Sequence, residues 1–540
     1  MEFLYVLYYL FPSLTKFMSV FLLFLIPFSL SKAAEELPKG FSDEELLRKD
    51  EIFSMRRSTD PPPMPIRNVA EYERMQGVII RYPLGISTDL ISEISEDIRI
   101  YCLVSSSLQT NAFNLMENNG VNMNNVEFIN GPTDSYWTRD YGPWWVVDGN
   151  YNMSVVDFTY NRPRPNDNNA PLKISQFLDT PYFSTDLIHA GGNYMTDGLG
   201  ISASSDLVYI ENDMTEEEVL EIMEDYYGIN TYHVVSDPNN TYIDHIDCWG
   251  KYLSPTKVLI REVPSNHPQY DQIEQTASYF EQTNNKWGEP WELLRIYTPQ
   301  NQPYTNSLIL NNKVFVPITG SNWDEQALST YQSAMPGYEI LGFNGSWEST
   351  DALHCRIKGI PDLEMLQLFH NPINDSTYPG VLGYDVLIEV APLSGEGLIN
   401  DSLLLFWKNS SMENWNLEPL INADTQSSGI YKQGWIPPQT SVSEIQYYIK
   451  AADSSGRVEQ HPIYGYHQFL ALPTDICQQW TLGDLDNSQS INVIDLLLLT
   501  EQVLSEAPFG LCPPTTADIN QDGFINVVDI VYLTNLILYP

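Results

Sequence analysis

The sequence predicts an α/β domain as the largest part of a multidomain protein, followed by an all-β module and a small helical one. From Val78 to about residue 375, short β-branched runs alternate with helical stretches and with clusters of Gly, Pro and Asn. Residues 380–470 hold only short strand-like runs separated by turn signals. From residue 483 onward the chain repeats itself at a 34-residue offset. A chain of 540 residues is too long for one core, so two to four domains are expected.

The first element is "KFMSVFLLFLIPFSLSKAAEE", a Lys, an apolar run and small residues at the cleavage-determining positions. It reads as a signal peptide over residues 1–33, cut near Ala33 or Ala34. The run is short of the roughly 20 residues of a membrane span. The residues before it are also apolar, which leaves an uncleaved anchor as the alternative and Met18 as a candidate start. Residues 34–63, ending in "STDPPPMP", read as a linker or pro-segment. The α/β domain follows over 64–376. In it "MQGVIIRYP", "DIRIYCLVSSS" and "DLVYIEN" read as strands, and "TEEEVLEIMEDYYG" as a helix with a Thr cap and Gly228 at its end. "DVLIEVAPL", "DSLLLFWKN", "EIQYYIKAADSSGR" and "IYGYHQFLAL" outline a β-sandwich of immunoglobulin type over 380–472.

Charge narrows the partners. There are 27 Lys plus Arg against 70 Asp plus Glu, a formal net charge of -43. Such a chain repels nucleic acid and anionic membrane and attracts cationic ligands, peptides bearing Arg or Lys among them. Solubility or salt adaptation explains the charge better, because charge alone names no substrate. The five cysteines are an odd number, so at least one stays unpaired. Cys477 and Cys512 flank the C-terminal unit and are natural disulfide partners.

The repeat, "GDLDNSQSINVIDLLLLTEQVL" and "ADINQDGFINVVDIVYLTNLIL", lies in residues 480–540. Each copy places oxygen ligands at loop positions 1, 3, 5, 9 and 12 before an apolar helix, the spacing a hard cation needs. The second copy offers Asp518, Asn520, Asp522, Asn526 and Asp529, with Gly523 at the sharp bend. The first offers Asp484, Asp486, Ser488, Asn492 and Asp495, with Gln489 where Gly is preferred. The pair resembles a type I dockerin, which implies structural Ca2+ and a cohesin partner.

Chemistry centres on "TYIDHIDCWGKY". Read as extended chain, it puts His245 and Asp247 on one face and Cys248 on the other, away from the imidazole. As a zinc site it lacks a second His/Cys pair at ligand spacing. "SYWTRDYGPWW" offers Asp140 at a pocket mouth, and "HAGGNYMTDG" has Gly191, Gly192 and Asn193, where bare backbone lets a ligand approach. "YTNSLILNNKVFVP" places Asn306 before a buried strand, and "WESTDALHCRIKG" places Cys355 after a polar turn, where a thiol can be activated.

That order of residues resembles the guanidine-modifying superfamily, and within it the bacterial peptidylarginine deiminase and agmatine deiminase branch. The segments "YWTRDYGPWW", "YNRPRP", "HAGGNYMTDG", "DPNNTYIDHIDCWGKYL", "QPYTNSLILNN", "AMPGYEI" and "TDALHC" carry the likeness over residues 65–375. The resemblance implies a five-bladed α/β propeller of the pentein type and hydrolysis of a guanidinium. Asp140 and Asp247 would grip the cation, Cys355 would attack its carbon, and His245 would move the protons. Asn306 would position the substrate or the nucleophile loop. Trp137, Tyr242 and Ile243 would wall the aliphatic stem. The resemblance gives Arg162 and Arg164 the role of clamping the carboxylate of a C-terminal arginine. It implies no cofactor for catalysis. The expected activity is that of a secreted protein-arginine deiminase acting on arginine-containing peptides. Agmatine deiminase and a non-catalytic dockerin-borne scaffold are the alternatives.

Overall fold

The computed structural model describes residues 37–373, 376–380, 382–423, 429–473, 481–486, 488–505, 516–521 and 524–539. Residues 37–55 form no free linker. They carry two short helices, Asp43–Leu46 and Glu51–Ser54, and lie on the α/β domain. Over residues 37–55 this corrects the linker half of the linker or pro-segment reading of 34–63. Ser42 caps the first helix in a reciprocal box with Glu45, the local signal that folds the segment.

Five small sheets follow, built to one plan: an antiparallel pair, then a helix that returns the chain to a parallel strand. The first strands of the second blade, Trp144–Val147 and Met153–Tyr160, are antiparallel, and Tyr182–His189 joins parallel after the helix Ala170–Leu178. The same plan recurs with Met195–Thr196, Ile201–Ser205 and Thr231–Val235. It recurs again with Gly250–Ser254, Lys257–Glu262 and Glu292–Tyr297, and with Leu308–Leu310, Lys313–Ile318 and Glu339–Asn344. The remaining sheet closes the ring. Its Met75–Arg81, Arg99–Val104 and Val126–Asn130 are parallel, and its outer strand Lys358–Pro361 arrives from the far end of the domain to pair antiparallel with Met75–Arg81. The five sheets match the expected propeller.

Local chemistry explains most elements. The helix Glu216–Tyr227 starts at a Thr215 capping box and stops at Gly228, whose φ of 67° admits the left-handed turn. "DLVYIEN" is a correction: Leu207–Ile210 is a helical turn and not a strand. Asn212 holds it, donating to the Val208 and Ile188 carbonyls and accepting from the Ile188 N–H. Those tertiary bonds override a locally β-prone run.

Two further sheets pack around Leu366, Val386, Ile388, Leu405, Trp407, Ile445, Tyr447 and Phe469. One has the order Leu366–Phe369, Tyr384–Pro392, Ile430–Ile436, Ile421–Asn422, and the other centres on Leu404–Asn409 and Ser443–Ala452. Leu366–Phe369 pairs with Tyr384–Pro392, so the sandwich begins before residue 380 and takes a strand from the span assigned to the α/β domain. Arg74–Glu459 at 2.6 Å and Arg457–Asp362 at 2.8 Å fasten it to the propeller. Near the C-terminus the helices Val493–Ser505 and Val527–Leu538 pack on Leu499, Ala517, Ile519 and Leu533. No helix among the described residues is long and apolar enough to cross a membrane. The signal-peptide reading of residues 1–33 and the Cys477–Cys512 pairing lie outside the described residues; Cys102, Cys248 and Cys355 are free thiols.

Candidate active site

Each blade contributes the loop that leads into its first antiparallel strand. Asp140 precedes Trp144–Val147, Gly192 and Asn193 precede Met195–Thr196, and His245 and Asp247 precede Gly250–Ser254. Asn306 precedes Leu308–Leu310, and Cys355 precedes Lys358–Pro361. The repeat therefore delivers residues from five equivalent loops to one centre.

The "HID" stretch reaches it by a different backbone from the extended one expected. Asp244 turns the chain with a φ of 54°, and Ile246–Cys248 is a 3-10 turn. Asn193 fixes this turn, its Oδ1 accepting the Ser205 N–H at 2.9 Å and the Ile246 N–H at 3.3 Å. Asn193 thus holds the histidine loop, and its carbonyl oxygen does not face a ligand. His245 and Asp247 still face one space. A methyl group on Gly192 would lie 2.6 Å from Asp140 Oδ1, 2.7 Å from His245 Nδ1 and 3.2 Å from Asp247 Oδ2. Only hydrogen fits there. Gly192→Ala is therefore expected to push these side chains apart. The activity proposed below should fall roughly a hundredfold, while thermal unfolding and circular dichroism stay near wild type.

Cys355 sits on the 3-10 turn His354–Arg356. Asn306 organises this loop. Its Oδ1 accepts the His354 N–H at 3.0 Å and the Cys355 N–H at 3.4 Å, while its Nδ2 donates to Cys355 Sγ at 3.2 Å. Sγ is 3.5 Å from Asp247 Oδ2. Cys248 Sγ lies 3.6 Å from the other oxygen of Asp247. Burial raises the Cys355 thiol to about 12, with Asp247 adding to the rise and the nearby Lys39 cation opposing it. Burial depresses His245 well below the usual imidazole value, helped by Lys39 and opposed by Asp247. Burial also lifts Asp140 to about 7 against the pull of Lys39. Asp247 goes the other way. Burial would raise it, but the hydrogen bond and charge of His354, then Lys39, hold it below the carboxylate range.

Asp140 is 2% exposed and lies on the short helix Thr138–Tyr141, so it is an interior carboxylate and not one at a mouth. Trp137 and Ile243 are buried, whereas Tyr242 is 67% exposed. Arg162 and Arg164 are buried and face residues 38–45.

Three further positions at the site were not singled out in the sequence. His354 places Nδ1 2.8 Å from Asp247 Oδ2 and Nε2 2.5 Å from Glu71 Oε2. With both carboxylates ionised, both ring nitrogens carry hydrogen; burial and Arg139 draw the imidazole below its usual value, and Glu71 supports the charge against them. Glu71 also pairs with Lys251 at 2.7 Å and with Arg139 at 2.9 Å. This chain of charges orients Asp247 from behind, an arrangement that second-layer partners supply at many sites. Only its adjacency to Cys355 hinted at His354. The third, Lys39, places Nζ 2.7 Å from Cys355 Sγ.

In the C-terminal repeat, ligand oxygens of Asp484, Asp486 and Asp495 lie within 4.8 Å of one another, a set a hard divalent cation takes. Asp495 accepts the N–H groups of Leu485, Asp486 and Asn492, and Asp529 accepts those of Ile519, Asn520 and Asn526 in the same way. Gln489 adopts the bend with a φ of 63° despite not being Gly. In the first loop Ser488 Oγ bonds Ser490, and Asn492 Oδ1 caps Ile494 N–H. Asp518 and Asn520 lie on the second loop; Asp522 is outside the described residues.

Comparison with known proteins agrees with this geometry. Residues 80–361 match the model of the Porphyromonas-type peptidyl-arginine deiminases, and residues 482–538 match the dockerin type I domain. A Mycoplasma mycoides subsp. mycoides protein provisionally named an agmatine deiminase is 25% identical over 287 residues, 45% of this chain and 77% of its own. The agmatine deiminase of Medicago truncatula is 21% identical over 327 residues, 50% of this chain and 85% of its own. The solved agmatine deiminase of Enterococcus faecalis superposes with a TM-score of 0.51 at 18% identity, over 57% of this chain and 99% of that one. At that identity the superposition speaks for the fold.

Proposed function

We propose that this chain, which belongs to the Porphyromonas-type peptidyl-arginine deiminase family and ends in a type I dockerin, hydrolyses the guanidinium of peptide arginine to a ureido group and ammonia. A planar cation with several N–H donors calls for carboxylates in fork geometry, and Asp140 and Asp247 supply them. The thiol of Cys355, held protonated by burial and Asp247, gives its proton to His245 as the guanidinium carbon comes within reach of the sulfur. The thiolate attacks the guanidinium carbon, forming a C–S bond. His245 delivers a proton to the departing amine, and ammonia leaves a thiouronium on Cys355. Water then adds to the same carbon, its proton passes to His245, and the C–S bond breaks to give citrulline and the free enzyme. Thiol, imidazole and two carboxylates suffice for both steps.

The observation that carries the peptide reading is the pair Arg162 and Arg164. Both are buried beside the site and reach main-chain carbonyls, which agmatine does not have. The names of the relatives favour a second reading, agmatine, and do not support peptide arginine. The two readings separate by rate. Charge-assisted contacts of about 1.5–3 kcal/mol amount to tenfold or more. Ureido product should form roughly tenfold faster or more from a peptide ending in Arg than from agmatine. The same peptide amidated tests whether the terminal carboxylate is what the arginines read. Turnover of agmatine alone would remove the peptide reading.

The dockerin supports a location outside the cell, docked through a cohesin module, with Ca2+ in its loops as a structural ion. Asp484, Asp486 and Asp495 would hold it in the first loop, and Asp518, Asn520, Asp522, Asn526 and Asp529 in the second. Calcium should therefore raise the unfolding temperature of the C-terminal module within the full chain. Asp529→Ala should remove most of that gain without changing turnover.

A further inference from the structure

Lys39 is 5% exposed and inserts among the site's groups, its Nζ 2.7 Å from Cys355 Sγ and 2.5 Å from the Thr350 carbonyl oxygen. Counted along the side chain, Nζ of lysine stands where Cζ of arginine would stand. The sulfur thus touches the atom that replaces the carbon it would attack. The main chain around Lys39 is held as firmly. Arg164 Nη2 donates to the Pro38 carbonyl at 2.6 Å and to the Gly40 carbonyl at 3.0 Å. Arg162 Nε donates to the Lys39 carbonyl at 3.3 Å, and its guanidinium lies 4.5 Å from the centre of the Phe41 ring. Arg164 also pairs with Glu45 at 2.7 Å. Gly40 lies under the Tyr242 ring, which a side chain there would strike at 2.9 Å. Three successive carbonyls are read, on both sides of the inserted side chain.

We infer that residues 38–45 are a pseudosubstrate bound in cis, and that the cleft they fill takes an arginine with peptide chain on both sides of it. The inference rests on the deiminase reading and extends it from arginine at a chain end to arginine within a chain. Lysine offers the cation and the stem but no electrophilic carbon, so the segment occupies the site without being consumed. Turnover requires the segment to leave. A tethered occupant acts at an effective concentration in the millimolar range, so even weak contacts keep the site closed.

The test uses the full chain and two readouts. The first is alkylation of Cys355 by 2-chloroacetamidine, a small guanidinium mimic, followed by mass spectrometry. Lys39→Ala and, independently, Glu45→Ala should each accelerate alkylation by roughly tenfold or more over wild type. The second is Lys39→Arg, which puts the reacting carbon at the sulfur. Residue 39 should be recovered as citrulline or bonded to Cys355, and unmodified when Cys355→Ala is combined with it. Alkylation unchanged by both alanine variants overturns the inference, whatever the enzyme does to added substrates. So does an intact arginine at residue 39 in a protein that turns over added peptide. Accelerated alkylation with no turnover of any guanidinium compound would leave the pseudosubstrate standing and remove the deiminase reading instead.

Discussion

Cys355→Ala should abolish ureido formation from every guanidinium substrate, a loss of roughly 10⁴-fold or more, as expected when a covalent nucleophile is removed. The residue is fully buried on a short turn, and the change deletes one atom held by Asn306. Its cost to stability should be about 1 kcal/mol. The variant should therefore fold and lose chemistry alone. Substrate affinity should survive, because the grip on the cation belongs to Asp140 and Asp247. Retained folding with residual turnover above a hundredth of wild type would place the nucleophile elsewhere. Cys248 is the one other thiol near Asp247 among the described residues, and its burial and the neighbouring carboxylate hold it protonated.

Asp247→Asn should cost roughly 10³-fold in turnover while making the thiol more acidic. These effects point in opposite directions, which gives the prediction its force. Asp247 raises the Cys355 thiol after burial does, so removing its charge lowers that value from about 12. The thiolate fraction at a given pH then grows, and the alkylation rate of Cys355 should rise at lower pH than in wild type. Turnover should still fall, because the substituted amide cannot balance the guanidinium or accept from His354 in the same way. A merely structural Asp247 would lower both rates together. Loss of turnover with an unshifted alkylation profile would contradict the assignment.

The propeller was legible where local signals were strong. Thr215 and Gly228 bracket their helix, and the β-branched runs of Met75–Arg81 and Arg99–Val104 are strands as read. Ring closure was not legible, since Lys358–Pro361 finds Met75–Arg81 across the whole domain and nothing near either strand records the pairing. At the site, the motif residues Asp140, His245, Asp247, Asn306 and Cys355 come together through the repeated lead-in loops. The backbone that delivers His245 and Asp247 was misread because Asn193, a distant side chain, sets that turn. Glu71 carried no signal at all. It is one of two acids in "VAEYERM", and its role comes from four partners that only the fold supplies: His354, Lys251, Arg139 and the Ile309 N–H. Lys39 was hidden for a related reason. A charged, Pro-bounded stretch looks like a tether until its cation meets the thiol and its carbonyls meet Arg162 and Arg164.

The rest stands on one bond between the Cys355 sulfur and a guanidinium carbon. Acid quenching during turnover of an arginine peptide, followed by mass spectrometry of the protein, measures that bond directly. The peptide containing Cys355 should be heavier by the substrate less one ammonia, and the adduct should vanish as substrate is exhausted. Steady product release with Cys355 never carrying that mass, or with the mass on another residue, would contradict the account.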